Sequence, residues 1–284
     1  MKSVATFFRT IYRNKQSFVG LIILVMFTVM AVIGPLAIPL KTETDFMNRY
    51  KPPSPAHPMG TDHVGRDTFA QIVHGSRDVL QIGLLAAVFA IFIGFVVGSL
   101  AGFAGGFTDT ALMFVASLFL TIPAFPIQLS LTAIINVRSP YVMAGIIAAF
   151  GWAGLSRAIR AQILSQKRRD YILICRIMGL GNRHIIFKEM LPNLASYLSI
   201  TFVQSMQGAI MASVALMMMG FAPFSSTHWG TMLNLAVTQT AGAIEPRTMF
   251  FLFSPIFCFV LLQTGCIFFA SGLDEALNPR LRES

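Results

Sequence analysis

An all-α integral membrane protein of six transmembrane helices is the fold class this sequence predicts, on three observations. Apolar residues make up 55% of the 284 residues and charged residues only 12%, with a mean hydropathy of +0.69, a balance unsuited to a soluble globular domain. Uncharged runs long enough to cross a bilayer, about 20 residues each, recur six times along the chain. The formal charge of +9 is concentrated in particular loops rather than in an aromatic-bearing patch. It therefore sets orientation across a membrane and argues against a nucleic-acid partner.

Residues 1–17 carry Lys2, Arg9, Arg13 and Lys15 without an acid, and place the N-terminus in the cytoplasm. Phe7, Phe8 and Tyr12 among them predict an interfacial helix. The run 18–40 is longer than the apolar core of a signal peptide and no small-x-small cleavage site follows, so it reads as a retained first span. Residues 41–78 form an external loop, extended at Pro52, Pro53, Pro55 and Pro58, with Phe69, Ile72 and Val73 on one face of an amphipathic helix. Asp62, His63 and Asp67 read as caps and ion pairs rather than metal ligands, since no fixed ligand geometry accompanies them.

The second span, 79–104, bears Gly94, Gly98 and Gly102 at four-residue spacing, a stripe that lets helices pack closely in lipid. A turn at Gly105, Gly106 and Asp109 leads to a third span, 110–135, interrupted by Pro123 and Pro126. Such kinks free backbone carbonyls and are tolerated where a helix faces protein or a water-filled cavity, so this span is a candidate for lining a translocation path; a kink that only shapes packing is the alternative. The fourth span, 141–163, ends in Arg157 and Arg160 on one helix face, suited to headgroups and the helix dipole.

The polar excursion 165–192 is cytoplasmic by its Lys167, Arg168, Arg169, Arg176, Arg183 and Lys188. Tyr171, Cys175 and Met178, with Ile174 and Ile177, recur at helical spacing and predict an amphipathic helix outside the bilayer. Residues Gly179 to Gly181 end it, Asn182 can cap a second short helix, and Pro192 marks the change to the next span. A helix-turn-helix between two spans suits docking; an ordinary basic loop is the plainer reading. The fifth span, 194–221, contains Met206, Met211, Met217, Met218 and Met219, which without Cys or His partners read as soft packing rather than copper ligands. Met206 and Met217 join Pro123 and Pro126 as translocation-path candidates. An external hairpin covers 222–248, and a sixth span covers 249–271 before a cytoplasmic tail, 273–284, so that 79–272 form a five-helix core. Cys175, Cys258 and Cys266 show no paired or metal-binding spacing.

Four stretches resemble one family, the permeases of ATP-binding-cassette importers for dipeptides, oligopeptides and nickel. Residues Gly60, Thr61, Asp62, Gly65, Arg66 and Asp67 are similar to the segment ahead of the second span in its C-type members; Gly179, Leu191 and Pro192 match the spacing of its coupling loop, with Leu173, Ile174 and Cys175 where the family has Glu-Ala-Ala. Trp229, Gly230, Thr231, Met232 and Leu233 resemble its external Trp-Gly-x-Met-Leu, and Gly272 to Arg282 resemble its C-terminal tail. The resemblance implies a type I importer permease fold with a cytoplasmic coupling helix, in a bacterial or archaeal plasma (inner) membrane. It implies as partners a second, usually non-identical B-type permease, two cytoplasmic ATPase subunits that bind ATP and Mg, and an external substrate-binding protein. Residues Asp170, Tyr171, Leu173, Ile174, Cys175, Gly179, Leu180, Gly181, Leu191 and Pro192 would carry ATPase coupling, and di- or oligopeptides would be the cargo, with oligosaccharides or nickel complexes as alternatives.

The chain itself contains no Gly-x-x-x-x-Gly-Lys-Ser/Thr loop, so no nucleotide is held by that route, and no cofactor is expected in it. No Asp, Glu, Lys, Arg or His stands in the middle of a span, where proton-coupled carriers place one. The histidines fall in loops without a nucleophile and acid beside them, so an enzyme is not expected. A secondary carrier and a non-transporting scaffold subunit are the other classes left open.

Overall fold

The computed structural model describes residues 12, 14–221, 224–239 and 248–277. In chain order its helices are α1 (Lys15–Ala37), α2 (Thr68–Ala104), α3 (Gly106–Thr121), α4 (Ala124–Ile135), α5 (Pro140–Lys167), α6 (Asp170–Ile177), α7 (Asn182–Met218), α8 (Trp229–Gln239) and α9 (Met249–Leu277). Of these, α1, α2, α5, α7 and α9 are each long and apolar enough to cross a bilayer, and α3 with α4 bring the number to six when counted as one broken span. The expected interfacial helix at Phe7 and Phe8, and tail residues 278–284, lie outside the described residues.

Helix starts follow the capping residues. Asn14 accepts a hydrogen bond from the Ser17 backbone N–H (3.1 Å) to open α1, and its amide donates to Glu275 near the end of α9. Asp67 accepts from the Ala70 N–H (2.9 Å) and so starts α2 at Thr68. The amphipathic stretch expected within the 41–78 loop is therefore the beginning of α2, continuous with the span. The same early start puts His74 on a helix rather than in a loop, where its Nε2 meets the Ile38 carbonyl at 2.8 Å, and His184 similarly sits in the first turn of α7. Ahead of α2, the fully buried Asp62 accepts from the backbone N–H groups of Val64 (2.9 Å) and Arg66 (2.8 Å) and from the Arg66 guanidinium (2.9 Å), while Asp67 also pairs with His57 (2.9 Å). These two acids are caps and ion-pair partners, as their spacing predicts.

Close helix crossings are made by glycine. A Cβ on Gly98 would stand 2.5 Å from the Ser156 carbonyl oxygen, on Gly94 2.8 Å from the Leu155 Cβ, and on Gly102 2.9 Å from the Ile163 Cγ2, so the α2 stripe seats α5 along its length. A second crossing joins α1 to α9, where Gly20, Gly265 and Gly272 meet the Phe269 nitrogen, Ile23 and Ser17.

At the end remote from residues 165–192, the described residues 224–239 of the stretch expected to be an external hairpin include a helix, α8, whose start is packed inside. Trp229 is fully buried on α8, packs edge-on against Phe27 of α1 (5.6 Å between ring centroids) and donates its indole N–H to the Ile72 carbonyl (3.1 Å). Two close approaches make that possible: Gly75 under the Thr227 carbonyl and Gly230 against the Val214 carbonyl. The start of α8 leaves water because the apolar gain of burying Trp229, Met232 and Leu233 is large. His228 beside them is buried and its Nδ1 accepts from the Gly230 N–H (3.1 Å), which places the proton of the neutral ring on Nε2. Burial pushes its pKa down from 6.5 to about 3.

Two measurements follow from this packing. In detergent, Gly98→Ala lowers the thermal stability of the chain by about 1–3 kcal/mol although alanine is the better helix former; Gly145→Ala, where no atom lies within 4 Å of the added Cβ, does not. Because the unfolded His228 takes up a proton before the folded one does, its share of stability is present above pH 6.5 and is lost as pH falls toward about 3; a His228→Gln variant flattens that component of a pH-stability profile.

Candidate functional site

The segment 165–192 folds as a short helix anchored on one side and bare on the other. Asp170 in the first turn of α6 and Arg176 in the last complement the helix dipole. The helix ends by left-handed closure: Gly179 has φ +74°, its N–H donates to the Arg176 carbonyl (3.0 Å), and the Leu180 N–H reaches the Cys175 carbonyl (3.1 Å). Inward, Ile172 is wholly buried among Phe95 and Phe103 of α2, Ile159 and Ile163 of α5, and Ile185 and Met190 of α7; Tyr171, Cys175, Leu180 and Leu191 pack around that cluster. Outward, Leu173, Ile174, Ile177 and Met178 are exposed, the last two at 86% and 70%.

Polar contacts secure the anchored side. Lys167 donates to the Phe103 carbonyl at the end of α2 (2.7 Å), and both the Lys167 ammonium (5.6 Å) and the Arg176 guanidinium (5.4 Å) stand over the Phe103 ring. The Tyr171 hydroxyl donates to the Gln166 side chain (3.1 Å) and accepts from the Asn193 amide (3.3 Å). Farther along the same end, Arg160 of α5 forms a two-pronged pair with Asp109 of α3, and Arg157 donates to the Ser117 hydroxyl (2.7 Å). The sequence reading gave these two arginines no role beyond headgroups and dipole; they clasp α5 to α3.

The expected second short helix is not separate. Gly181, not Asn182, occupies the cap position, and Asn182 opens α7, which runs unbroken past Pro192 into the span. Residues Ile185–Met190 make a π-helical turn in which the Leu191 N–H reaches back to the Ile186 carbonyl. In a regular helix the Pro192 ring would strike the carbonyl four residues earlier; the widened turn relieves that clash, so the proline neither ends nor sharply breaks the helix. Any displacement of the loop is thus carried by the span itself.

Within the membrane-crossing part, α3 and α4 meet at 82° across Ile122 and Pro123. Pro123 is the cap residue of α4 and Pro126 falls in its first turn, where a missing N–H costs nothing. Both prolines are exposed, and what they do is aim α4. Its Gln128 reaches a cavity of about 260 Å³ shared with Ala86 and Ala90 of α2, Gly151 of α5, and Ser205 and Gly208 of α7. Met206 instead faces grooves beside Leu24 of α1, and Met217 is buried in a core cluster with Ile82 and Met143. The sequence reading passed over Gln128, although a lone carboxamide just after two prolines in an apolar run was the signal available.

Residues 94–283 match the family described as binding-protein-dependent transport system inner membrane component, and residues 4–53 match the N-terminal TM domain of oligopeptide transport permease C. The chain is 31% identical to the oligopeptide transport system permease protein OppC of Bacillus subtilis, over 95% of this chain and 87% of that protein. It is also 31% identical to the dipeptide transport system permease protein DppC of Bacillus subtilis, over 96% of this chain and 85% of that protein. Against the oligopeptide transport system permease protein OppC of Mycobacterium bovis the identity is 32%, over 96% and 94%.

If Ile172 is what fixes α6 to the three helix ends, Ile172→Ala leaves a cavity costing about 2–5 kcal/mol locally. Hydrogen exchange of residues 170–180 then accelerates while the α2 amides, held by the α5 crossing, keep their protection.

Proposed function

The chain belongs to the family of binding-protein-dependent transport system inner membrane components, multi-pass permease subunits, and on that premise we propose that it forms half of the translocation path of an ATP-driven importer of di- and oligopeptides. The single observation that carries the coupling role is the bare apolar face of α6: Leu173, Ile174, Ile177 and Met178 lie exposed on a helix whose other face is locked to α2, α5 and α7. A water-facing apolar ridge on a rigid mount is what a cleft in a partner protein would take up. The partner is a cytoplasmic ATPase subunit, one of two, each holding ATP and Mg. Positive-inside charge puts residues 165–192 and both termini in the cytoplasm; an external binding protein and a second, B-type permease complete the assembly.

Mechanistically, closure of the ATPases displaces α6. Tyr171 and Cys175 hold the helix to its mount, Asp170 complements the dipole of its first turn, Gly179, Leu180 and Gly181 make the bend, and Leu191 with Pro192 lies in the unbroken rod that leads to the chamber wall at Ser205. No titratable side chain lines that chamber, which supports an external energy source over a proton-coupled carrier. Peptide cargo is supported by the relatives, whose names are those of oligopeptide and dipeptide permeases, over oligosaccharides or nickel complexes.

Replacing Gly179 with valine tests the coupling. No atom lies within 4 Å of a Cβ there, so the strain, roughly 1–2 kcal/mol for a left-handed residue, falls on the bend alone. The variant inserts normally yet loses ATP-driven peptide uptake in reconstituted vesicles; full uptake would refute the coupling role. Ile177→Glu is expected to abolish co-purification of the ATPase subunits.

A further inference from the structure

The geometry points to Gln128, with Ser205, as a transit site for the backbone amide groups of the peptide being carried, a site inside the membrane that reads the main chain and ignores the side chains. The inference rests on the peptide cargo proposed above. Gln128 is only 6% exposed, and among the described residues its carboxamide has no hydrogen-bond partner. It lines the chamber of about 260 Å³ between α2, α4, α5 and α7. Its carboxamide atoms are not among the fully enclosed polar atoms that lack a partner, so they open onto the chamber and are free to pair with what enters it. Ser205, across the chamber on α7, likewise has no side-chain partner among the described residues.

The chemistry of the chamber narrows what that visitor is. A carboxamide offers one carbonyl acceptor and two N–H donors in a plane, so it can pair through two hydrogen bonds with the N–H and C=O of one residue, which lie on the same edge of an extended backbone, whatever that residue's side chain is. Most of the remaining wall is alanine and glycine, with Ile147 and Phe150 the larger side chains, and at Gly208 no atom lies within 4 Å of an added Cβ. The small residues along most of the wall leave room for a backbone to pass. The volume is just below the ~300–1,000 Å³ of pockets that enclose a whole ligand, which suits one stretch of main chain in passage. With no charge in the wall the contact stays weak enough to release, as conduction requires.

The test uses the whole transporter, with its ATPases and binding protein, in proteoliposomes. The probes are labelled tri-alanine and its backbone N-methylated counterpart, which cannot donate from its amides. Gln128→Met, matched in shape and without hydrogen bonds, is expected to cut tri-alanine uptake about tenfold, the loss of one to two neutral hydrogen bonds. Stimulation of the ATPase by the binding protein stays at the wild-type level, and uptake of the N-methylated peptide, already slow, changes less than twofold. Gln128→Asn, which keeps the carboxamide, retains more tri-alanine uptake than Gln128→Met. Unchanged uptake in Gln128→Met, an equal loss for both peptides, or lost ATPase stimulation overturns the inference and makes Gln128 a contact to the second permease or a packing residue. A wild-type transporter that imports neither peptide overturns the cargo reading and this site with it.

Discussion

Ile172, closed in among the ends of α2, α5 and α7, is the contact on which the working parts depend. In the coupling role proposed for it, α6 transmits displacement only if it moves as one body with what it pushes. One aliphatic side chain shared by three helix ends achieves this without a hinge, and the cation contacts of Lys167 and Arg176 with the Phe103 ring stiffen the same joint. Because that inner face is already filled, the outward apolar residues cannot fold back to cover themselves. Anchoring and exposure are two results of one amphipathic helix packed from one side.

The second constraint comes from lipid, where every backbone N–H and C=O needs a partner. It explains how the chain handles its prolines. At Pro192 the helix keeps its bonds by widening into a π turn, and continuity is preserved. At Pro123 the helix stops and restarts at a new angle, with Pro126 placed where it removes no bond. The first device keeps α7 continuous, and the second turns a carboxamide toward the centre of the protein. Similar residues thus serve opposite ends, according to what precedes them.

Much of this was legible in the sequence. The uncharged runs give the spans, the Gly94, Gly98 and Gly102 stripe gives the α2 and α5 crossing, and Gly179 gives the bend, because each is a local pattern with one physical solution. The structure departs from that reading where long-range packing competes with local signals. Trp229 to Leu233 lie in a stretch punctuated like a loop, yet burial against Phe27 and Ile72 draws them inside. Met217 looks like many other apolar residues until its neighbours are known. Gln128 and the Arg160 to Asp109 clasp depend on which helices lie side by side, information that periodicity within one helix does not hold. The α1 and α9 crossing was missed for the same reason, since Gly20 and Gly272 acquire meaning only together.

That crossing has a consequence for biogenesis. Among the described helices, α1 leaves the ribosome first and packs most extensively on α9, and Gly272 meets Ser17 only after α2 to α8 have been made. At synthesis rates of about 5–20 residues per second, α1 waits on the order of tens of seconds in lipid before its seat exists. Its uniformly apolar surface, with only a small share buried even in the finished protein, is what lets it wait there without a chaperoning neighbour.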